Sequence, residues 1–269
     1  MERQSKPKPF AKRSFGQNFL VDPNYIEKII QSLDVSPTDT IVEIGPGRGA
    51  LTERLVSLSN RVIAIELDQD MVEVLKKNFT NDSSLTIVQA DVLRIDFTEL
   101  LAGKRAKLVA NLPYYISTAV LQHLIEHRSA FKEMVLMFQR EVAHRITASP
   151  GSTDRGFLTV IVEAYLDVEH LFDVPPSAFR PAPKVWISVV RLRPKHSVAI
   201  DSGFTQLVSS GFLQKRKTIL NNLKNRYDNA AVALLAAGID PTRRAETLSV
   251  EEWVKLTREI ASAEHRDPV

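Results

Sequence analysis

Asn111-Leu112-Pro113-Tyr114 closes an apolar run, Leu108-Val109-Ala110. A side-chain amide, a proline-fixed turn and an aromatic ring at the end of a buried strand can together hold a flat nucleobase and grip its exocyclic amine. Upstream stands Glu43-Ile44-Gly45-Pro46-Gly47-Arg48-Gly49. Glycines placed between a strand and a helix let backbone amides approach a ligand closely. Glu66 ends the next apolar run, 21 residues after Gly45. A carboxylate there can accept hydrogen bonds from both hydroxyls of a ribose. Dinucleotide dehydrogenases place an acid at a similar distance, but their Gly-x-Gly-x-x-Gly is not what stands here. Asp91 follows a third apolar run and has two readings: an acceptor for an adenine amine of a cofactor, or a helix cap.

An adenine N6 amine is a poor nucleophile, because its lone pair is delocalised into the ring. Its transfer chemistry needs no strong base, since the proton becomes acidic once the new bond is forming. It needs acceptors that favour a tetrahedral nitrogen, and positioning in line with the electrophile. The Asn111 oxygen and the Leu112 carbonyl can supply the acceptors. Tyr114 offers one aromatic face. Phe179, in the proline-rich stretch Pro175-Pro176-Ser177-Ala178-Phe179-Arg180-Pro181-Ala182-Pro183, can close on the other. A base held this way must be flipped out or single-stranded. The two motifs, in this order, point to methyl transfer from S-adenosylmethionine to an adenine amine.

These residues need a frame. Short apolar runs at 40–44, 61–66, 85–88 and 108–110 alternate with helical patterns, which predicts a parallel sheet wound on both faces. Asp22-Pro23 reads as a helix start. The segments 134–138 and 158–162 read as strand-like or buried, and 167–172 and 186–192 as late strands. Beyond Arg193-Pro194-Lys195 the patterns are helical only, ending in a helix whose start, Ser249-Val250-Glu251-Glu252, has capping-box spacing. The expected architecture is α/β: a Rossmann-like S-adenosylmethionine-dependent methyltransferase domain over residues 1–194, opening on a basic arm at 1–15, and a small all-helical domain over 195–269.

The 269 residues, 44% of them hydrophobic, suffice for one large core and a second small one. With no cysteine, disulfides, thiolate nucleophiles and cysteine-bound metals are excluded, which fits a reducing cytoplasm. His123 and His127 flank Glu126 in an order that is not the zinc-protease one, and read as surface histidines; no metal is expected. No apolar stretch is long enough to cross a bilayer, and the first residues lack an apolar signal core. The net charge is only +3, but cations cluster. The first thirteen residues hold five against one acid; Lys215-Arg216-Lys217 and Arg243-Arg244 form further patches. Such patches are candidate phosphate contacts, or solvated surface.

Taken together, the chain resembles the ribosomal RNA adenine N6,N6-dimethyltransferases, most closely their small-subunit branch. The resemblance runs through Gly16-Gln17-Asn18-Phe19-Leu20, the Glu43–Gly49 loop, Glu66, Asp91 and Asn111-Leu112-Pro113-Tyr114. It continues through Phe179-Arg180-Pro181-Ala182-Pro183-Lys184-Val185 and Lys215 to Leu223. It implies that Asn18 and Leu20 close over the cofactor and that Gly45 and Glu66 hold its methionine and ribose parts; Gly47, of the same loop, is a further candidate cofactor contact. The resemblance further implies that Asp91 meets the adenine ring and that Asn111 lies between cofactor and target. The implied substrate is a pair of adjacent adenosines in the 3′-terminal hairpin of small-subunit rRNA, within the assembling 30S subunit. A monomer is expected when the protein is free. Relatives often carry a polar residue where Tyr115 stands, which bears on the shape of the pocket. Two rivals remain: a large-subunit rRNA adenine N6-methyltransferase, which would use the same catalytic residues, and a mainly non-catalytic assembly factor. A DNA-binding helix pair within 229–260 is a weaker third.

Overall fold

The computed structural model describes residues 17–113, 115–195 and 203–264. The basic arm at 1–15, Gly16 and Tyr114 lie outside the described residues.

In chain order the strands are β1 (Phe19–Leu20), β2 (Thr40–Ile44), β3 (Arg61–Glu66), β4 (Leu85–Gln89), β5 (Ala106–Asn111), β6 (Phe131–Gln139), β7 (Leu166–Val174), β8 (Phe179–Arg180) and β9 (Ile187–Pro194). The first helices are α1 (Pro23–Ser32), α2 (Thr52–Leu58), α3 (Gln69–Asn78), α4 (Phe97–Leu100), α5 (Ser117–Glu126), α6 (Arg140–Ile146) and α7 (Phe157–Tyr165). After β9 come α8 (Phe204–Gly211), α9 (Ile219–Leu223), α10 (Ala230–Ala236) and α11 (Val250–Glu264).

Seven strands form one sheet in the order β4-β3-β2-β5-β6-β9-β7. The pairs β4–β3, β3–β2, β2–β5 and β5–β6 are parallel, and β9 returns antiparallel on β6. The central strands are apolar along their length because helices cover both faces: Val62, Ile63, Ala64 and Ile65 of β3 and Leu108, Val109 and Ala110 of β5 are all buried. From β2 the chain moves outward to β3 and β4, then returns to β5 on the other side of β2. Strand order thus reverses between β2 and β5, where an open parallel sheet leaves a crevice at its carboxyl edge. The Gly45 loop leaves β2 at that crevice and Asn111 ends β5 there. A separate two-stranded pairing, Phe19↔Arg180 and Leu20↔Phe179, joins β1 to β8.

Helix starts follow local chemistry. The Asp22 carboxylate accepts from the Asn24 amide at 2.9 Å, with Pro23 first in α1. The capping box of α11 is formed: the Ser249 amide donates to Glu252 Oε2 at 2.8 Å, and the Glu252 amide to Ser249 Oγ at 3.2 Å. Residues 158–162, read as strand-like or buried, are buried, but in helix α7 rather than in a strand. This helix is buried on nearly every side, so its run of apolar residues carries no period that separates helix from strand. His123 and His127 are half-buried rather than on the surface. Both rings pack on Phe97, and His123 Nε2 meets the Ile95 carbonyl at 2.9 Å.

The chain divides into two compact units. One holds the residues up to Ala143 and Val168–Pro194; the other holds His144–Asp167 and the described residues from Lys195 onward. A single cut at 194 leaves out this double crossing. Helix α7 and the loop before it belong with the later helices because their partners come from there. Tyr165 packs edge-on against Phe204. The guanidinium of Arg155, 1% exposed, donates to the Ala148 and Leu248 carbonyls and pairs with Glu163 at 2.6 Å.

The helical unit centres on Trp253, which is fully buried. Gly211 faces it so closely that an added Cβ would stand 2.3 Å from the indole. Gly211→Ala is therefore expected to destabilise the chain by about 1–3 kcal/mol through overpacking, despite alanine's better helix propensity. A thermal melt followed by tryptophan emission checks this; a midpoint at or above wild type would mean that the indole can move aside.

Candidate active site

The crevice at the switch point is a cleft enclosing about 800 Å³, part of it open to solvent. Its wall includes Asn18, Gly45, Gly47, Glu66, Asp91, Asn111 and Leu112. Gly45, Gly47, Glu66, Asp91, Asn111 and Leu112 meet because each ends or follows a strand at the same edge of the large sheet, and Asn18, just before β1, joins them from the separate two-stranded pairing.

The glycine loop bends as a ligand cradle requires. Gly45 and Gly47 have φ of +69° and +56°, a region that side chains disfavour. A Cβ on Gly47 would also stand 2.9 Å from the Phe19 ring. Above that ring lies the Arg48 guanidinium, 4.5 Å from its centroid.

Glu66 closes the loop from the neighbouring strand. It is 8% exposed; its Oε2 accepts from the Gly47 amide at 3.1 Å and its Oε1 from the Asp68 amide at 2.9 Å. Burial raises its proton affinity, and the amides of Asp68 and Gly47 oppose that rise. The remaining lone pairs can accept ribose hydroxyls. Asp91 is a cap: Oδ1 accepts from the Leu93 amide at 3.0 Å, at the start of a short helical turn, and the residue also lines the cleft, within which its second oxygen could meet a ligand.

Asn111 is oriented by the N-terminal segment. Its Nδ2 donates to the Asn18 carbonyl at 3.0 Å. With the nitrogen committed, Oδ1 is the atom of this amide that can accept from a target amine. Leu112, 1% exposed, lines the cleft beside it.

Three expected residues stand elsewhere. Leu20 is 5% exposed and Phe179 0%; they pair across β1 and β8 and pack in the core with Ile29, Val109 and Val189. Neither lines the cleft: both side chains are turned into the core in this structure, not toward a cofactor or a base. Arg243 is taken up within the helical unit: it pairs with Glu252 and donates to the Thr247 carbonyl at 2.7 Å. Arg216, Lys217 and Arg244 are exposed. Lys215 is exposed too, with Nζ at 2.6 Å from the Thr153 carbonyl.

Tyr115 lines the cleft, and so do three apolar residues that the motif reading missed: Leu67, Val92 and Ile116. Leu67 and Val92 each follow a cleft acid directly, and that repeated acid–apolar pair was the available signal. Flat apolar surfaces beside acceptors suit a purine. The residues present thus fit an adenosine-containing cofactor: acids for ribose and ring amine, glycine amides for the charged end, apolar walls for the ring.

Glu43 lies behind the loop, fully withdrawn from water. Burial lifts its pKa from 4.5 to about 7, against the hydrogen bond from Thr52 Oγ1 at 2.6 Å and with a further push from Glu66.

A model of the family described as ribosomal RNA adenine dimethylase matches residues 10–262 of this chain. The chain is 39% identical over 263 residues to the ribosomal RNA small subunit methyltransferase A of Alkaliphilus metalliredigens, covering 93% of this chain and 92% of that one. It is 42% identical over 260 residues to the protein of the same description from Geobacter metallireducens, covering 92% and 94%. Among solved structures, a dimethyladenosine transferase from Plasmodium falciparum superposes with a TM-score of 0.80 at 29% identity, covering 91% of this chain and 98% of that one. The 23S rRNA methyltransferase ErmE shares the fold, with a TM-score of 0.69 at 24% identity, covering 91% and 100%.

Asn111→Ala removes the oriented acceptor and leaves the Glu66 side of the cleft in place. Turnover is expected to fall about 10²–10³-fold, with the affinity for S-adenosylhomocysteine, read by calorimetry, nearly unchanged. Full methyl transfer by this variant would refute the amine grip. For Glu43 the sign is that of a raised acid. Between the unfolded value of 4.5 and about 7 the folded chain binds the extra proton, so this group makes stability fall as pH rises through that window. Glu43→Gln keeps an acceptor for Thr52 and does not titrate. Its melting temperature relative to wild type should rise from pH 5 to pH 8, and a difference independent of pH would show that Glu43 is not the titrating group.

Proposed function

The chain belongs to the ribosomal RNA adenine dimethylase family, and from that premise we propose that it methylates N6 of two adjacent adenosines in the 3′-terminal hairpin of small-subunit (16S) rRNA, giving N6,N6-dimethyladenosine. The observation that carries the reading is the Asn111 amide, held by the Asn18 carbonyl at the mouth of a cleft that Glu66 closes. S-adenosylmethionine, when bound, supplies a methyl group made electrophilic by its positive sulfur. Gly45, Gly47 and Glu66 are its proposed holders, with Asp91 at the ring amine. The chain's own part in the reaction is then positional. Asn111 Oδ1 and the Leu112 carbonyl accept the two N6–H bonds, draw the nitrogen toward tetrahedral geometry and aim its lone pair. Solvent takes the released proton, so no buried base is needed.

The relatives at about 40% identity carry the small-subunit description, which favours that RNA over the large-subunit alternative. The fold does not discriminate, since ErmE shares it. Exposed Lys215, Arg216, Lys217 and Arg244 are the proposed phosphate contacts of the helical unit. The proposed setting is the assembling 30S particle in the cytoplasm, where the free enzyme is a monomer. No helix among the described residues is long and apolar enough to cross a membrane.

The deciding experiment is methyl transfer from radiolabelled S-adenosylmethionine to small subunits lacking this modification, with large-subunit rRNA in parallel and products digested to nucleosides. Dimethyladenosine from small subunits alone is expected. Label only in large-subunit rRNA would keep the chemistry and overturn the substrate. Tight subunit binding with no label in either would favour the assembly-factor role.

A further inference from the structure

The carboxyl edge of the sheet carries an aromatic residue that the cleft does not use. Trp186 is 44% exposed and does not line the cleft. It stands immediately before β9, whose Ile187 pairs with Gln139 at the end of β6. The Arg140 amide donates to the Trp186 carbonyl at 3.0 Å. On the other side of β6, Met137 pairs with Asn111. Trp186 is therefore two strands across from Asn111 and three residues further along the same edge. At about 4.8 Å between strands and about 3.3 Å per residue, the two backbones are roughly 14 Å apart.

Single exposed apolar residues are ordinary, but the charges around this one are not evenly mixed. In the two segments that meet here, 139–141 and 179–187, Arg140, Arg180 and Lys184 are exposed cations, and Glu141 is the only acid. Arg180 is held against its own loop by the Ser177 and Phe179 carbonyls. Asp173, on β7 beside β9, is hydrogen-bonded by Ser188 and His170, and the Arg140 charge also acts on it. An indole among cations is the composition of a platform for single-stranded nucleic acid: the ring stacks on a base and the cations neutralise phosphates. Phe179 lies in the core, so Trp186 is the aromatic residue that this loop presents to solvent.

We propose that Trp186 stacks on a nucleotide flanking the acceptor adenosine in the RNA substrate, with Arg140 and Lys184 as phosphate contacts. It is a positioning residue, acting on the strand rather than on the reacting atoms. A strand anchored next to the flipped base limits the positions that base can take and so helps to hold it in line. The inference rests on the small-subunit RNA reading.

The test uses the full chain with Trp186→Ala and Trp186→Phe. With unmodified small subunits as substrate, Trp186→Ala is expected to raise KM about tenfold, at unchanged kcat and unchanged affinity for S-adenosylhomocysteine; Trp186→Phe should stay within about twofold of wild type. A second readout needs no methylation. The chain has two tryptophans, and the other, Trp253, is fully buried. Single-stranded oligoadenylate should quench wild-type emission and leave that of Trp186→Phe unchanged. A wild-type KM in Trp186→Ala, lost cofactor affinity in that variant, or equal quenching of wild type and Trp186→Phe would each overturn the proposal. If wild type failed to methylate small subunits, the substrate reading would fall, and the oligoadenylate titration would still decide the stacking.

Discussion

A carboxylate almost out of water must be satisfied by nearby donors, and the site is arranged around that demand at Glu66. Leaving such a group unpartnered costs several kcal/mol. Here the Gly47 and Asp68 amides answer it. For the Gly47 amide to reach the end of β3, the loop after β2 must turn through left-handed backbone, and only glycine does this cheaply. The Phe19 ring then occupies the space that any side chain at Gly47 would need. One buried charge thus ties β3, the glycine loop and the N-terminal segment into one wall.

The second wall depends on a neutral contact. The Asn111 amide reaches the Asn18 carbonyl only because β1 is pinned by its pairing with β8 and by the Val21 amide on the Ala178 carbonyl. The proline-rich loop contributes to the site indirectly. It buries Phe179 beneath β1 and so holds the strand that orients Asn111. Phe179, one of the two aromatic residues expected at the base, is in this structure an anchor behind the strand that orients Asn111. This division suits an amine that needs alignment more than activation, because alignment is only as good as the rigidity behind it.

The helical unit shows how a charged residue can organise packing. Arg155 lies at 1% exposure with its guanidinium spread over two carbonyls and Glu163. It links the loop before α7 to the segment before α11. Arg243 works in the same way near the start of α11, between Thr247 and Glu252. Cations close in sequence therefore have different fates: Arg243 stabilises the unit, and Arg244 faces solvent.

Much of this protein was legible in the residues themselves. Parallel strands buried on both faces leave continuous apolar runs, so β2, β3 and β5 could be placed from Thr40-Ile41-Val42-Glu43-Ile44 and its counterparts, and the edge strand β4 from its shorter run Leu85–Val88. The loop motif, Glu66, Asp91 and Asn111 were legible because their roles depend on position at a strand end, which the chain order encodes directly. Capping pairs such as Ser249 with Glu252 are local by nature. The tertiary structure decided what depends on partners distant in sequence. A run such as Leu158–Val162 has no period to betray its helix, and α7 joins the later helices only because its apolar faces meet them there. Whether Phe179 faces a base or the core, and whether Arg243 meets a phosphate or Glu252, turns on which surface packs first against it. Side-chain type states what a residue can do; burial, a property of the whole fold, selects which of those things it does.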